Sequence, residues 1–500
     1  MSCCRTWCPS SRLLAALLTA AVAGCPSGGL PLFNSGEGED LASAADQGDG
    51  ERDGAVSGTF LLASGQQPLL DGVTRDGRVL AYHDGTEQFA VATSPGSVPV
   101  RLAENRFTTG VVVSGHVIIS LHDYRDSAVR LSAWAMGERA PRELDTRAYP
   151  LRAAIAASPQ GHHVAYVRVA DLNGEIGHIQ IRRRDGTGVA VSPMLARDID
   201  LLRCRTELAF WDEVRLVAFY CQRASGVPRV VIIEAESGRT VELSDPAKEN
   251  VEQVLFVPGG RILWTNLRSS TLDPGALKAG TVSGDVRQVL VAQVPPRVVA
   301  QLTLSPDGAE AYFLNGTGAL VRVPVASGGQ VVLTSEKVDR IAAISPDGRT
   351  VAVLRSRPMQ PDRLSLVDTV SKESRDVPGG PGLQVRPPVF TADSSHCLYL
   401  TDGDVLGAFA VRGPAGAPRL ELQRQTSRHA ALFGSHLLVL HGATMGENAT
   451  ASVLDVLDPA ARLDKERGLN ASPAGFWLLV PDGRKLLFVR GGGVYMTTLP

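Results

Sequence analysis

Short apolar runs alternate with Gly, Pro, Asp and Ser punctuation from Thr59 onward, and no segment sustains a 3.6-residue period. The clearest unit is Ile341-Ala-Ala-Ile-Ser-Pro-Asp-Gly-Arg-Thr-Val-Ala-Val-Leu-Arg355. Its aliphatic stretches Ile341 to Ile344 and Val351 to Leu354 predict two strands, and Ser345-Pro346-Asp347-Gly348 predicts the reversal between them. Pro346 presets φ near −65°, Asp347 can bond nearby backbone, and Gly348 accepts φ > 0. The expected hairpin is a type I turn followed by a left-handed glycine.

The same turn recurs at Arg75-Asp-Gly-Arg78, Ser158-Pro-Gln-Gly161, Ser305-Pro-Asp-Gly308 and Pro481-Asp-Gly483, each before a short apolar strand. Weaker copies fall near Ser114-Gly115, Asp212-Glu213, Pro258-Gly-Gly260, Asp393-Ser394 and Gly434-Ser435. A third and a fourth strand usually follow, as in Ala319 to Val323 and Gln330 to Leu333. Repetition at this spacing predicts an all-β chain, a β-propeller of four-stranded blades with 7–10 units. The end of the chain supplies only three strands, at about Phe476 to Val480, Leu486 to Val489 and Val494 to Leu499. The lone strand Gly58 to Ala63 is therefore expected to close the last blade, which removes two exposed edges.

These Ser-Pro-Asp-Gly units resemble the WD40-like PD40 repeat of TolB-like β-propellers, which also occurs in the propellers of prolyl-oligopeptidase-like proteins. The resemblance covers most of Thr59 to Pro500. It implies a non-catalytic binding scaffold, with a protein partner by analogy with TolB.

The N-terminus changes the picture of where the propeller works. Arg5 and Arg12 precede the apolar run Leu13 to Ala23, which is too short for a transmembrane helix and fits a secretory signal. The run ends Val22-Ala23-Gly24-Cys25, which resembles the bacterial lipobox. That resemblance implies that Cys25 becomes the acylated first residue of a mature lipoprotein; an ordinary cleavable signal with an incidental Cys is the other reading. Pro26 stands where an Asp would favour inner-membrane retention, so the cell envelope is the expected compartment, the outer membrane ahead of the inner. The domains expected are thus a signal peptide at 1–25, an acidic Gly/Ser-rich disordered tether at 26–57 and the propeller at 58–500. Flexible-chain scaling gives the tether a reach of roughly 30 Å.

Composition mostly excludes. Between Pro26 and Gly58 lie seven acids, Glu37, Glu39, Asp40, Asp46, Asp49, Glu51 and Asp53, against Arg52 alone. Without that segment and the leader bases Arg5 and Arg12, the 50 basic and 52 acidic residues fall to 47 and 45. No global field attracts nucleic acid. Aromatics are only 5% of the chain, so Val, Leu, Ile and Ala must fill the core. Cys397 reads as a small core residue. A two-residue turn at Asp212-Glu213 would put Cys204 opposite Cys221, within disulfide range in an oxidising compartment. Two buried thiols are the alternative.

No Gly-x-Ser-x-Gly elbow, haem attachment motif or zinc-spaced Cys/His cluster is present, so no catalytic residue, metal site or cofactor is expected. His162 and His163 follow a turn and read as structural, while His116, His122, His429, His436 and His441 are scattered. Asp171-Leu-Asn-Gly-Glu175 resembles the start of a Ca²⁺ loop without its remaining ligands, and reads as a polar turn. Recognition is expected on the long second-to-third-strand loops, Arg168 to His178, Asn266 to Thr281, Arg355 to Arg363 and His441 to Thr450. Their candidates are Arg168, Asp171, Glu175, Arg268, Asp273, Arg355, Arg357, Asp362, His441 and Glu447. An envelope protein or peptide is the expected partner, with a glycan as the second ligand class and the membrane reached only through the lipid. A propeller lyase or glycosidase working at the channel mouth is the alternative function.

Overall fold

The computed structural model describes residues 59–498 apart from 67, 105–109, 115, 185–195, 204, 246–248, 258–259, 268–274, 285–286, 295–301, 358–359, 378–387, 392, 401–405, 413–419, 423–425, 434–435, 442–448, 456–468, 472–476, 481–484 and 491. Among these residues the strands form ten consecutive four-stranded antiparallel meanders. Blades 1 to 9 span 68–104, 110–148, 155–200, 207–242, 250–294, 303–332, 340–376, 389–422 and 426–471. Blade 10 takes three strands from 477–498 and its fourth from Thr59–Ser64, the order being the N-terminal strand, Gly493–Thr498, Lys485–Arg490 and Trp477–Leu479. The expected closure is present, with Thr59 opposite Thr497 and Ser64 opposite Gly493. Blades 2 and 3 are further joined by one pair, Ala148 with Arg168.

The apolar runs lack alternation because each sheet is covered on both faces by its neighbours. In His163–Val169, Val164 and Tyr166 pack towards blade 2, whereas Ala165, Val167 and Val169 pack towards blade 4. In Glu310–Leu314, Ala311 and Phe313 belong to the core shared with blade 5, while Tyr312 and Leu314 belong to the core shared with blade 7. Successive cores join blades 1 to 8, and Leu62, Leu80, Leu487 and Met496 join blade 10 to blade 1. At roughly 1.5 to 3 kcal/mol per buried aliphatic side chain, these shared cores are the main cohesion of the ring.

The first-strand turns behave as their chemistry demands. Gly308 and Gly348 have φ of 70° and 69°, and their N–H groups bond the carbonyls of Ser305 and Ser345 at 2.8 Å. The hydroxyls of Ser305 and Ser345 donate to Asp307 and Asp347 at 2.6 and 2.7 Å, and each Asp also accepts a backbone N–H two residues on. Thr74 and Asp76 repeat the arrangement in blade 1. Blade 3 has Gln160 at the Asp position, and Glu213 of blade 4 replaces the missing carboxylate. It accepts Ser158 Oγ–H at 2.5 Å and the N–H groups of Gln160 and His162 at 2.8 and 3.1 Å.

Two expectations need correction. The turn at Asp212-Glu213 has three residues, because Trp211 N–H bonds Arg215 O and Phe210 stands opposite Leu216. Asp212 Oδ1 imposes it by accepting the N–H groups of Val214 and Arg215. This register shifts the strands by one residue from the two-residue geometry. Cys221 is disulfide-bonded, and Cys204 lies outside the described residues. The loop expected from Arg355 to Arg363 is mostly strand: Thr350–Arg357 and Gln360–Asp368 pair, with Arg357 opposite Gln360.

Candidate docking face

In an up-and-down meander, first-to-second and third-to-fourth turns leave at one end of every blade, here called the turn end. Second-to-third turns and the connections to the next blade leave at the other, the connection end. Arg168, Asp171 and Glu175 lie at the connection end of blade 3, where the structure brings them beside a loop of blade 2.

That blade 2 loop is conformationally unusual. Arg125 pairs with Ala128, so Asp126 and Ser127 form a two-residue turn with φ of 47° and 61°. Both residues adopt the left-handed region that a type I′ hairpin requires, without the usual glycine. Asp123, at φ 54°, absorbs the extra residue where the register shifts between His122 and Arg125. The loop presents Tyr124, 47% exposed, together with exposed Arg125 and Asp126.

Blade 3 fits against it. Asp171 Oδ1 accepts the N–H groups of Glu175 and Ile176 at 3.0 and 2.9 Å, forming the polar turn. These bonds outweigh the opposing effect of burial and hold the Asp171 carboxyl below its usual range. Gly174 is the close-approach point, since a Cβ there would lie 2.4 Å from Ser127 Cβ. Arg147 Nη2 of blade 2 donates to Asp171 O at 2.6 Å. Leu172, at the tip, is 71% exposed.

The connection from blade 3 to blade 4 completes the surface. Asp200 Oδ1 accepts the N–H groups of Leu202 and Arg203, and Leu201 N–H bonds Glu175 O at 3.0 Å. Leu202 is left 71% exposed. Tyr149 OH donates to Leu201 O at 3.4 Å, and its pKa is raised by burial and then by Tyr124. Tyr124, Leu172 and Leu202 are thus tied through adjoining loops into one region. A cavity of ≈ 210 Å³ opens beside it between Arg125, Asp126, Arg130, Thr146 and Arg147.

The sequence candidates divide by role. Arg168 pairs with buried Asp145 at 3.2 Å, and Asp145 Oδ2 also accepts Tyr166 OH at 2.8 Å. Glu175 lies 3.5 Å from Arg223. These charges brace the loops that carry the apolar tips. Arg355 is a buried strut of blade 7, donating to Glu336 and to Ser374 Oγ, the latter at 3.0 Å. Arg268, Asp273 and Glu447 lie outside the described residues. Arg357, Asp362 and His441 occupy strand positions whose side chains also lie outside the description. His163 is buried, with Nδ1 3.1 Å from Glu213 O. Among the described residues, no three His, Cys, Asp or Glu gather as a metal site, and no helix is long and apolar enough to cross a membrane. Tyr124 and the two leucines escaped sequence reading because their neighbours form polar turns; the available signal was a large apolar residue at the tip of Asp171-Leu-Asn-Gly174.

No family model matches the chain, and no curated protein does. Similar solved structures include the tricorn protease, at 12% identity and TM-score 0.34 over 88% of this chain and 46% of that one. Dipeptidyl peptidase 4 from Porphyromonas gingivalis gives 12% identity and 0.47 over 79% and 65%. TolB from Acinetobacter baumannii gives 15% and 0.27 over 59% and 77%. The chain spans less than half the length of the tricorn protease. At these scores the likenesses add nothing to the propeller class already given by the strand pairing.

Proposed function

We propose that the chain is an exported, lipid-anchored β-propeller that serves as a binding scaffold of the bacterial envelope and docks another protein on the connection end of blades 2 to 4. The supporting observation is the joining of exposed Tyr124, Leu172 and Leu202 through adjoining loops on a braced framework. Exposed apolar side chains with an Arg-rich surround suit a protein interface, where aromatic and Arg anchors dominate the energy. Cys25 is the proposed point of acylation, and the outer membrane is the proposed site.

A photo-cross-linking amino acid placed at 124, 172 or 202 in the native host tests this. The expected result is one discrete adduct shared by the three positions, absent from a probe at Val370 and, with the probe at 124, abolished by Leu172→Asp/Leu202→Asp. Equal adducts from Val370, or none from the three positions, overturn the docking face.

A further inference from the structure

The turn end of blades 1 to 3 has a different character. Among the described residues its loops and the strand ends beside them carry Arg75, Arg78, Arg139, Arg142, Arg183 and Arg184 against Asp76, Glu138 and Glu143, and Glu213 of blade 4 lies on the blade 3 turn, so the count is six positive charges to four negative. His116 of blade 2 lies 2.9 Å from Asp76 of blade 1, and Arg184 of blade 3 lies 2.8 Å from Glu138 of blade 2. Arg142 Nη1 also donates to Arg184 O at 3.1 Å. These contacts join the turn-end loops of the three blades into one surface with a positive balance, on which Arg75, Arg78 and Arg139 are exposed. Two apolar side chains project from it on third-to-fourth-strand loops, Val98 at 80% and Met136 at 56% exposure. Beyond blade 3 the surface changes sign, with Asp212, Glu234 and Glu236 against Arg215 and Arg239 on blade 4.

The route of the chain supplies a second observation. Thr59 stands opposite Thr497, at the end of the third strand of blade 10, so the N-terminal segment joins the ring at the turn end. Blade 10 packs directly against blade 1. The segment that carries Cys25 thus enters on the face, and beside the blades, that bear the basic surface.

We propose that the turn end of blades 1 to 3 rests on an anionic phospholipid surface. The arginines would meet the headgroups, while Val98 and Met136 enter the interface. Peripheral contacts of this kind combine apolar insertion with electrostatic attraction and weaken as salt screens the charges. The inference does not depend on the protein-docking proposal, whose residues lie at the opposite end of the blades.

The test uses protein beginning at Pro26, which lacks both the leader and the lipid anchor, in sedimentation with vesicles of phosphatidylethanolamine and phosphatidylglycerol. Binding is expected with the anionic lipid, and not with phosphatidylcholine alone or at high salt. At about fivefold per arginine, Arg75→Ala/Arg139→Ala lowers partitioning about 25-fold. Val98→Ser/Met136→Ser weakens binding without changing its salt dependence, and Leu172→Asp/Leu202→Asp leaves it unchanged. Absence of anionic-lipid binding, or wild-type partitioning by the double arginine variant, overturns the proposal. So does binding that emerges only when the acids between Glu37 and Asp53 are changed to amides, because the face then belongs to the chain's own acidic segment.

Discussion

Glu213 occupies a position that a carboxylate of the same turn fills elsewhere, so its removal should be repaired in a defined way. In Glu213→Ala the N–H groups of Gln160 and His162 become available to water, and their loss costs little. Ser158 is fully buried, and its hydroxyl loses its carboxylate acceptor. An unsatisfied buried donor costs about 1 to 3 kcal/mol, so a total of about 2 to 3 kcal/mol is expected. Gln160→Asp recreates the turn of blades 6 and 7 within blade 3 itself, and should recover at least half of that loss in the Glu213→Ala background. In the wild-type background it places two carboxylates around one hydroxyl and should be neutral or destabilising. Urea denaturation followed by tryptophan fluorescence measures all four proteins of the cycle. Burial opposes ionisation of Glu213, but hydrogen bonds from Ser158, Gln160 and His162 outweigh it and lower the pKa. Its contribution is therefore complete above the unfolded value of about 4.3 and is lost as pH falls through the folded value. Wild type and Glu213→Ala should converge as the pH falls below the unfolded value. Failure of Gln160→Asp to rescue, or a pH-independent gap between the curves, would refute the replacement of one carboxylate by another.

Two further outcomes rest on local geometry. Gly348→Ala meets only Ser305 Cβ, at an ordinary contact distance of 3.9 Å, but keeps a positive φ, and should cost about 1 to 2 kcal/mol. Gly161→Ala adds a Cβ 2.2 Å from Val117 Cγ2 in the core and should cost at least 1 kcal/mol more; equal midpoints in urea would contradict the contact. Burial pushes the Cys397 thiol well above its ordinary range. Iodoacetamide should therefore label Cys397 only on unfolding, and native labelling followed by mass spectrometry checks this.

What could be read in the sequence was the local chemistry of turns. Ser305-Pro-Asp-Gly308 and Ser345-Pro-Asp-Gly348 contain within four residues the hydroxyl, carboxylate and left-handed glycine that their hairpins use. The need to pair Phe60 and its neighbours with the last three strands was legible too, because a short edge strand without a partner is a recognisable deficit. What was hidden depends on residues far apart. Glu213 serves a turn more than fifty positions earlier, and nothing at Asp212-Glu213 advertises that acceptor. Asp212 lengthened its own turn through two backbone bonds, which a count of turn residues does not reveal. Arg355 looked like loop charge, yet the strand continues through it and Glu336 occupies its guanidinium. The apolar tips Tyr124 and Leu172 required the fold as well, because only the packing of Gly174 on Ser127 brings their loops together.

Closing the ring with the first strand also sets an order of events. Thr59–Ser64 is made first, yet its partner Gly493–Thr498 lies about 430 residues later, and joining the ends of an unstructured chain of that length costs about 5 kcal/mol. Blades 1 to 9 are each built from consecutive strands and can form before that contact, bringing the two ends together as they stack. Until the C-terminal strands arrive, the first strand and the unfinished last blade each present an open edge to other chains. A newly made molecule is therefore most open to mispairing just before completion, and the seam between Thr59–Ser64 and Gly493–Thr498 is the last contact to form.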